Sequence, residues 1–123
     1  MQKILVCDDD PNIRNIIDFG LQAEGFQVLV AADGAEALEL ARREAPDLVI
    51  LDVMMPGSDG VEVCAALKQD EATRHLPVLL LTARTGKQDR DRGLAAGADD
   101  YITKPFSPGR LVEKVQSVLG VRP

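Results

Sequence analysis

A carboxylate, Asp52, terminates the apolar run Leu48 to Leu51, and the turn-forming stretch Val53-Met54-Met55-Pro56-Gly57-Ser58-Asp59-Gly60 follows at once. Three other apolar runs also end on polar side chains. Lys3 to Cys7 stops at Asp8-Asp9, Val78 to Leu81 stops at Thr82, and Tyr101 to Thr103 stops at Lys104-Pro105. If these runs are neighbouring parallel strands, three carboxylates, a hydroxyl and an ammonium meet at one edge of one sheet. Two carboxylates about 4 Å apart repel by roughly 4 kcal/mol at an effective dielectric of ~20. Asp8, Asp9 and Asp52 must therefore protonate, take cationic neighbours or bind a metal ion, and the single charge of Lys104 does not neutralise them. An all-oxygen set open to water suits Mg2+, which keeps several waters and needs few carboxylates. Beside such a cation a carboxylate can act as a nucleophile toward a phosphoryl group. Lys104 would spread the charge on the equatorial oxygens and Thr82 would donate a hydrogen bond to one of them. The chain has no glycine-rich loop ending in Lys-Ser/Thr of the Walker type. The phosphate is therefore expected from another phosphorylated group rather than from directly bound ATP.

Each of these residues has a plainer use when taken alone. An Asp pair before a helix is often a cap, and Asp52 could simply begin a turn. Thr82 could satisfy a strand end, and Lys104 could be a solvated surface charge. Asp10, directly before Pro11, is the better cap, which frees Asp8 and Asp9. What argues for a site is that all five polar residues fall at strand ends.

The segments between the runs read as the elements that hold those ends together. Ile13, Ile16, Ile17 and Leu21 recur at helical spacing after Asp10-Pro11, are assigned to the core, and are stopped by Gly25. Residues 26–31 read as a second strand, and 34–44 as a helix with Ala37, Leu38 and Ala41 inward. The third strand is 48–51, the third helix runs from about Gly60 to Gln69, and Pro77 opens the fourth strand. A polar fourth helix spans 87–96 with Gly97 as its stop. The fifth strand spans 100–103, and the fifth helix runs over 108–119 with Leu111, Val112, Val115, Val118 and Leu119 on one face. Strands alternating with helices give an α/β fold: a five-stranded parallel sheet flanked by five helices. Right-handed crossovers place all carboxyl ends at one edge, where ligands bind near the topological switch point.

The 123 residues are expected to form a single domain over 1–123. No apolar run approaches the ~20 residues of a membrane span, and no leader opens the chain, so a soluble, unprocessed, cytoplasmic protein is expected. A net charge of −6 argues against direct nucleic-acid binding, which needs a basic face. One His and two Cys are too few for a His/Cys zinc cluster. Cys7 and Cys64 read as buried thiols of a reducing compartment rather than a disulfide.

Taken jointly, Asp8-Asp9, Leu51-Asp52-Val53-Met54-Met55-Pro56-Gly57 with Asp59-Gly60, Leu81-Thr82-Ala83, Gly97-Ala98-Asp99-Asp100-Tyr101 and Lys104-Pro105-Phe106 are specific. The chain resembles the receiver domain of two-component response regulators, the CheY-like family, from Lys3 to Leu119. The resemblance implies the flavodoxin-like strand order 2-1-3-4-5. It also implies that Asp52 is the phosphoacceptor, loaded from a phosphohistidine of a sensor kinase or phosphotransfer protein. Asp9, Asp52 and the backbone carbonyl of Met54 would ligate Mg2+, with Asp8 acting mainly through water. Thr82 and Lys104 would contact the phosphoryl oxygens, and Lys104-Pro105 would be a cis peptide. Thr82 and Tyr101 would be the switch pair, altering the surface of the fourth helix, fifth strand and fifth helix. An exposed part of the first helix with Pro105-Phe106 would dock the kinase. Met54 and Arg84, two residues beyond Asp52 and Thr82, would obstruct an attacking water and prolong the acyl phosphate; Met54→Asn with Arg84→Glu should change its decay.

One departure stands out from the DNA-binding branch of that family. There an acidic residue near the start of the fifth helix usually pairs with an arginine on the fourth helix. Here Arg90 would face Arg110, while Asp100 and Lys114 could still pair, so the usual symmetric dimer is disfavoured. Two other readings compete: a small phosphohydrolase working through an aspartyl phosphate, and an unphosphorylated docking domain. The first needs a general acid/base and a substrate cap, and the second leaves the acidic set without a role. No output domain is recognisable, so the chain is either a stand-alone regulator or a receiver cut from a longer protein.

Overall fold

The computed structural model describes residues 2–55, 57–83 and 86–120. In chain order the elements are β1 (Lys3–Cys7), α1 (Pro11–Ala23), β2 (Gln27–Ala31), α2 (Gly34–Glu44), β3 (Leu48–Asp52), β4 (Met54–Met55), β5 (Ser58–Asp59), α3 (Gly60–Gln69), β6 (Val78–Ala83), α4 (Lys87–Ala95), β7 (Asp100–Lys104) and α5 (Pro108–Leu119). The main sheet has five parallel strands in the order β2-β1-β3-β6-β7. This is the expected 2-1-3-4-5 arrangement, with β6 and β7 as its fourth and fifth strands.

Alternation along the strands feeds two cores, because successive side chains point to opposite faces. Leu5, Cys7, Val49, Leu51, Val78 and Leu80 pack against Ala37, Ala41, Val63, Cys64 and Leu67 of α2 and α3. Ile4, Val6, Leu48, Ile50, Leu79 and Leu81 pack against Ile17 and Leu21 of α1 and Leu111 and Val115 of α5. Burial on both faces explains why the central strands read as continuous apolar runs rather than alternating ones.

Four of the five helices start where the sequence supplies side-chain caps, and α4 starts without one. Asp10 accepts from Asn12 N at 2.9 Å, Asp33 from Glu36 N at 2.9 Å, Asp59 from Val61 N at 2.8 Å and Ser107 from Arg110 N at 3.1 Å. Each satisfies one of the free amides of a first turn. Gly25 and Gly97 follow α1 and α4 at φ 87° and 105°, a region costly for residues with a Cβ. Helix α4 buries only Gly93 and leaves Leu94 46% exposed, so it is the helix with the least apolar anchorage. Among the described residues no helix is long and apolar enough to cross a membrane.

The structure corrects the reading of α1. Ile17, Gly20 and Leu21 are its buried face, Ile13 is half-buried, and Ile16 is 42% exposed. At ~100° per residue Ile16 is rotated away from Ile17, so it leaves the core and lines an apolar groove with Ile13, Pro105 and Phe106. Ile17→Val should accordingly cost about 1 kcal/mol of stability, whereas Ile16→Ala should stay within about 0.5 kcal/mol. Urea denaturation of the two variants checks the contrast.

Candidate functional site

The strands run further than their apolar stretches. β3 includes Asp52, β6 includes Thr82 and Ala83, and β7 includes Lys104. The ladder pairs Asp52 with Leu81, Thr82 with Thr103 and Ala83 with Lys104. Sheet hydrogen bonds, rather than loops, therefore fix the positions of three of the five predicted polar side chains. Asp8 directly follows β1, and its amide donates to Ala31 O at 3.3 Å, continuing the β1–β2 ladder.

The predicted residues converge. Lys104 Nζ lies 3.0 Å from Asp52 Oδ2 and 3.1 Å from Asp8 Oδ2. Oxygens of Asp8, Asp9 and Asp52 all lie within 4.8 Å of one another. Asp8 and Asp52 are 0% and 5% exposed, whereas Asp9 is exposed to solvent. Asp8 Oδ1 accepts from Asp10 N at 2.9 Å, and Asp52 Oδ1 accepts from Met54 N at 3.2 Å. The Lys104–Pro105 peptide bond is cis.

Burial pushes the Asp52 carboxyl up to about 6. The Lys104 hydrogen bond pulls it down, and the neighbouring Asp8 charge pushes it up again. Burial works against the Lys104 ammonium, yet Asp52 and then Asp8 hold its pKa above the ordinary lysine value. One ammonium thus serves two buried carboxylates, with a third at the mouth. This donor set fits a hard divalent cation: oxygen ligands, an excess of negative charge and a side open to water.

Thr82 completes the arrangement. Its side chain is 1% exposed, and Oγ1 has no hydrogen-bond partner among the described residues. A buried hydroxyl without a partner costs about 1–3 kcal/mol, so its retention at the strand end beside Asp52 calls for an acceptor that arrives later. Thr82→Val should raise the stability of the protein by about 1 kcal/mol. Thermal melts of the two proteins check the sign.

Both cysteines are buried free thiols, an environment that disfavours the nucleophilic thiolate. Burial, with Asp33 and Asp8 next, pushes the Cys7 thiol up to about 12, and burial pushes Cys64 to about 11. The sole histidine, His75, is exposed and lies before β6, at the opposite edge of the sheet from Asp52. No imidazole is therefore available to Asp52 as a general base.

The segment after Asp52, read from sequence as a turn, contains a short antiparallel ladder pairing Met54 with Asp59 and Met55 with Ser58. Gly60 is required where this hairpin enters α3, because a Cβ there would collide with the backbone carbonyl of Asp52. Sequence reasoning missed the tie between this hairpin and α4: Arg92 Nη2 lies 2.8 Å from Asp59 Oδ2 and Nη1 lies 3.0 Å from Asp89 Oδ1. The Asp59-Gly60 pair was visible, but its partner lies 33 positions away with no local signal. Met54 is 71% exposed. Arg84, its expected counterpart, lies outside the described residues.

Tyr101 is half-buried on the edge strand β7, paired with Leu80 and on the same sheet face as Leu80 and Thr82. The Arg90 guanidinium lies 5.3 Å and the Lys114 ammonium 5.9 Å from its ring centroid. Arg90 and Arg110 line one cavity, as the helix positions require, and Lys114 Nζ binds Asp100 Oδ2 at 2.9 Å.

A doubly wound parallel sheet with an acidic pocket at its carboxyl edge defines the class of protein. The chain belongs to the response regulator receiver domain family, whose profile matches residues 4–116. It is 46% identical over 118 residues to the alkaline phosphatase synthesis transcriptional regulatory protein PhoP of Bacillus subtilis, covering 96% of this chain and 48% of PhoP. It is 48% identical over 117 residues to the response regulator PleD of Caulobacter vibrioides, covering 94% of this chain and 26% of PleD. The chain thus spans about half or less of the length of these curated relatives. Among solved structures, the chemotaxis response regulator CheY4 of Vibrio cholerae superposes with a TM-score of 0.90 at 37% identity, covering 96% of this chain and 98% of CheY4.

Proposed function

We propose that this receiver domain, a single unit over 1–123, accepts a phosphoryl group on Asp52 from a phosphohistidine of a sensor kinase or phosphotransfer protein in the cytoplasm. The observation that carries the reading is the Asp8–Lys104–Asp52 bridge beside the unpartnered hydroxyl of Thr82.

An Asp52 carboxylate oxygen attacks phosphorus, the O–P bond forms, and the N–P bond breaks with its electron pair returning to the donor imidazole. Lys104, already at 3.0 Å from Asp52 Oδ2, neutralises charge on the transferred oxygens. Thr82 Oγ1 donates to one of them and gains the acceptor it lacks. Asp9, Asp52 and the Met54 carbonyl would hold Mg2+, with Asp8 acting through water; when bound, the ion would screen the carboxylates and the phosphoryl oxygens from one another. The domain is thereby a self-assisting phosphoacceptor rather than an enzyme acting on a separate substrate.

The output follows from where Thr82 sits. Drawing its hydroxyl toward the phosphoryl group frees space on the sheet face it shares with Tyr101, and the ring turns inward. Phosphate biases a two-state equilibrium, and α4, anchored by little apolar surface, is the element that costs least to shift. The groove of Ile13, Ile16, Pro105 and Phe106 beside Lys104 is where the donor protein would dock. The side chain of Met54 would hinder an attacking water, so Met54→Asn should shorten the acyl-phosphate lifetime several-fold, measured by loss of label after the donor is removed.

Magnesium-dependent labelling by acetyl phosphate tests the function. One group per chain, absent in Asp52→Asn, is the expected result. Continuous turnover of small phosphate esters would favour a phosphohydrolase instead, a reading to which the position of His75 lends no support.

A further inference from the structure

The groove between α4, β7 and α5 departs from the charge balance of the rest of the protein, whose net charge is −6. Arg90, Arg110 and Lys114 line this cavity of about 550 Å3, and Asp100 is the one lining carboxylate among the described residues. Asp100 is already taken by Lys114 at 2.9 Å. Arg110 has only Glu113 on its own helix, at 3.6 Å, with the two side chains 56% and 72% exposed, a geometry that binds weakly. Arg90 makes no ion pair among the described residues and rests on the Tyr101 ring, which Lys114 also approaches. The remaining charges of α4 are matched, Lys87 by Asp91 and Arg92 by Asp59 and Asp89.

A two-fold contact sets a patch against itself. Here it would bring the under-paired arginines of one copy to those of the other, and like charges disfavour pairing. Charge complementarity instead selects an anionic occupant. A nucleic-acid backbone is anionic too, but it needs a run of cations along the strand, and this groove offers only two under-paired arginines among the described residues.

We propose that this groove docks an acidic segment of a partner protein, and that Tyr101 gates it by holding Arg90 on its ring until the ring withdraws. The proposal rests on the phosphorylation switch described above and names the partner chemistry of its output face. The contact between the half-buried Arg90 guanidinium and the aromatic face is weak enough to be exchanged for a carboxylate, so withdrawal of the ring frees Arg90, while Lys114 stays on Asp100.

The test is fluorescence anisotropy with a labelled helical peptide carrying glutamates along one face, compared with its glutamine counterpart and a single-stranded oligonucleotide. Each is titrated into wild type with Mg2+, wild type with Mg2+ and beryllium fluoride, and Tyr101→Leu with Mg2+ alone. Leucine keeps apolar packing but removes the ring face. Beryllium fluoride and Tyr101→Leu should each favour the glutamate peptide by about tenfold over the glutamine peptide, and Arg90→Gln with Arg110→Gln should erase that preference. Equal binding of the two peptides in both treatments, an unchanged preference in the double variant, or tighter binding of the oligonucleotide would overturn the dock. If Asp52 takes phosphate and no glutamate preference develops, the dock fails while the phosphoacceptor reading stands. If Tyr101→Leu gains the preference while acetyl phosphate leaves Asp52 unlabelled, the dock stands and the phosphoacceptor reading fails.

Discussion

Lys104→Met is expected to slow phosphorylation of Asp52 by about 10²–10³-fold, the usual cost of removing one prearranged donor from a site where charge develops. The ammonium lies 3.0 Å and 3.1 Å from two buried carboxylates, so it is in place before the phosphoryl group arrives. Methionine keeps the apolar stem that the half-buried lysine packs, which separates loss of charge from loss of shape. A second effect accompanies the first. Without the ammonium, Asp8 and Asp52 oppose each other with no compensating charge, so the metal-free variant should lose stability and regain much of it when Mg2+ is added. Acetyl phosphate labelling at saturating Mg2+ measures the rate, and a rate equal to wild type would show that Lys104 does not touch the transferred group.

Asp52→Asn should make the metal-free protein more stable at neutral pH, even though it removes the charged hydrogen bond to Lys104. The Asp52 carboxyl stands at about 6 in the fold against 3.8 for an unperturbed aspartate. Between those values the folded chain holds a proton that the unfolded chain has released, so stability falls as pH rises from about 4 to about 6 and is flat above. That gap corresponds to roughly 3 kcal/mol. Asparagine cannot restore the charged hydrogen bond to Lys104, so the net gain expected near pH 7 is about 1–3 kcal/mol. It should vanish at about pH 3, where wild-type Asp52 is protonated in both states. Magnesium should shrink it too, because a ligand held by the folded wild type stabilises that state alone. Chemical denaturation in chelator and in Mg2+, at both pH values, measures this; a variant less stable than wild type in chelator at pH 7 would contradict the account.

The site was legible because its five polar residues end four apolar runs, and the parallel α/β pattern forces those ends together. The alternation of five strands with five helices and most helix bounds followed from helical spacing, the cap Asp10, and stops such as Gly25 and Gly97, whereas the strand order came from the resemblance to receiver domains. Ile16 was misplaced because the buried stripe of α1 is narrow, centred on Ile17 and Leu21, and composition alone does not say which of two adjacent isoleucines turns outward. The β4–β5 ladder was hidden because two-residue strands leave no period to read. The Arg92–Asp59 tie was hidden because it is made only by tertiary approach of α4 to the hairpin. The free Oγ1 of Thr82 is likewise a property of packing, invisible until neighbours can be checked for acceptors.

The most direct measurement is chemical location of the phosphoryl group. Protein treated with acetyl phosphate and Mg2+ is reduced with borohydride, which converts an aspartyl phosphate to homoserine, and the peptides are sequenced by mass spectrometry. The account predicts conversion at position 52 alone, dependent on Mg2+. Conversion at Asp8, Asp9 or elsewhere, or a phosphate that survives on a hydroxyl residue, would contradict it.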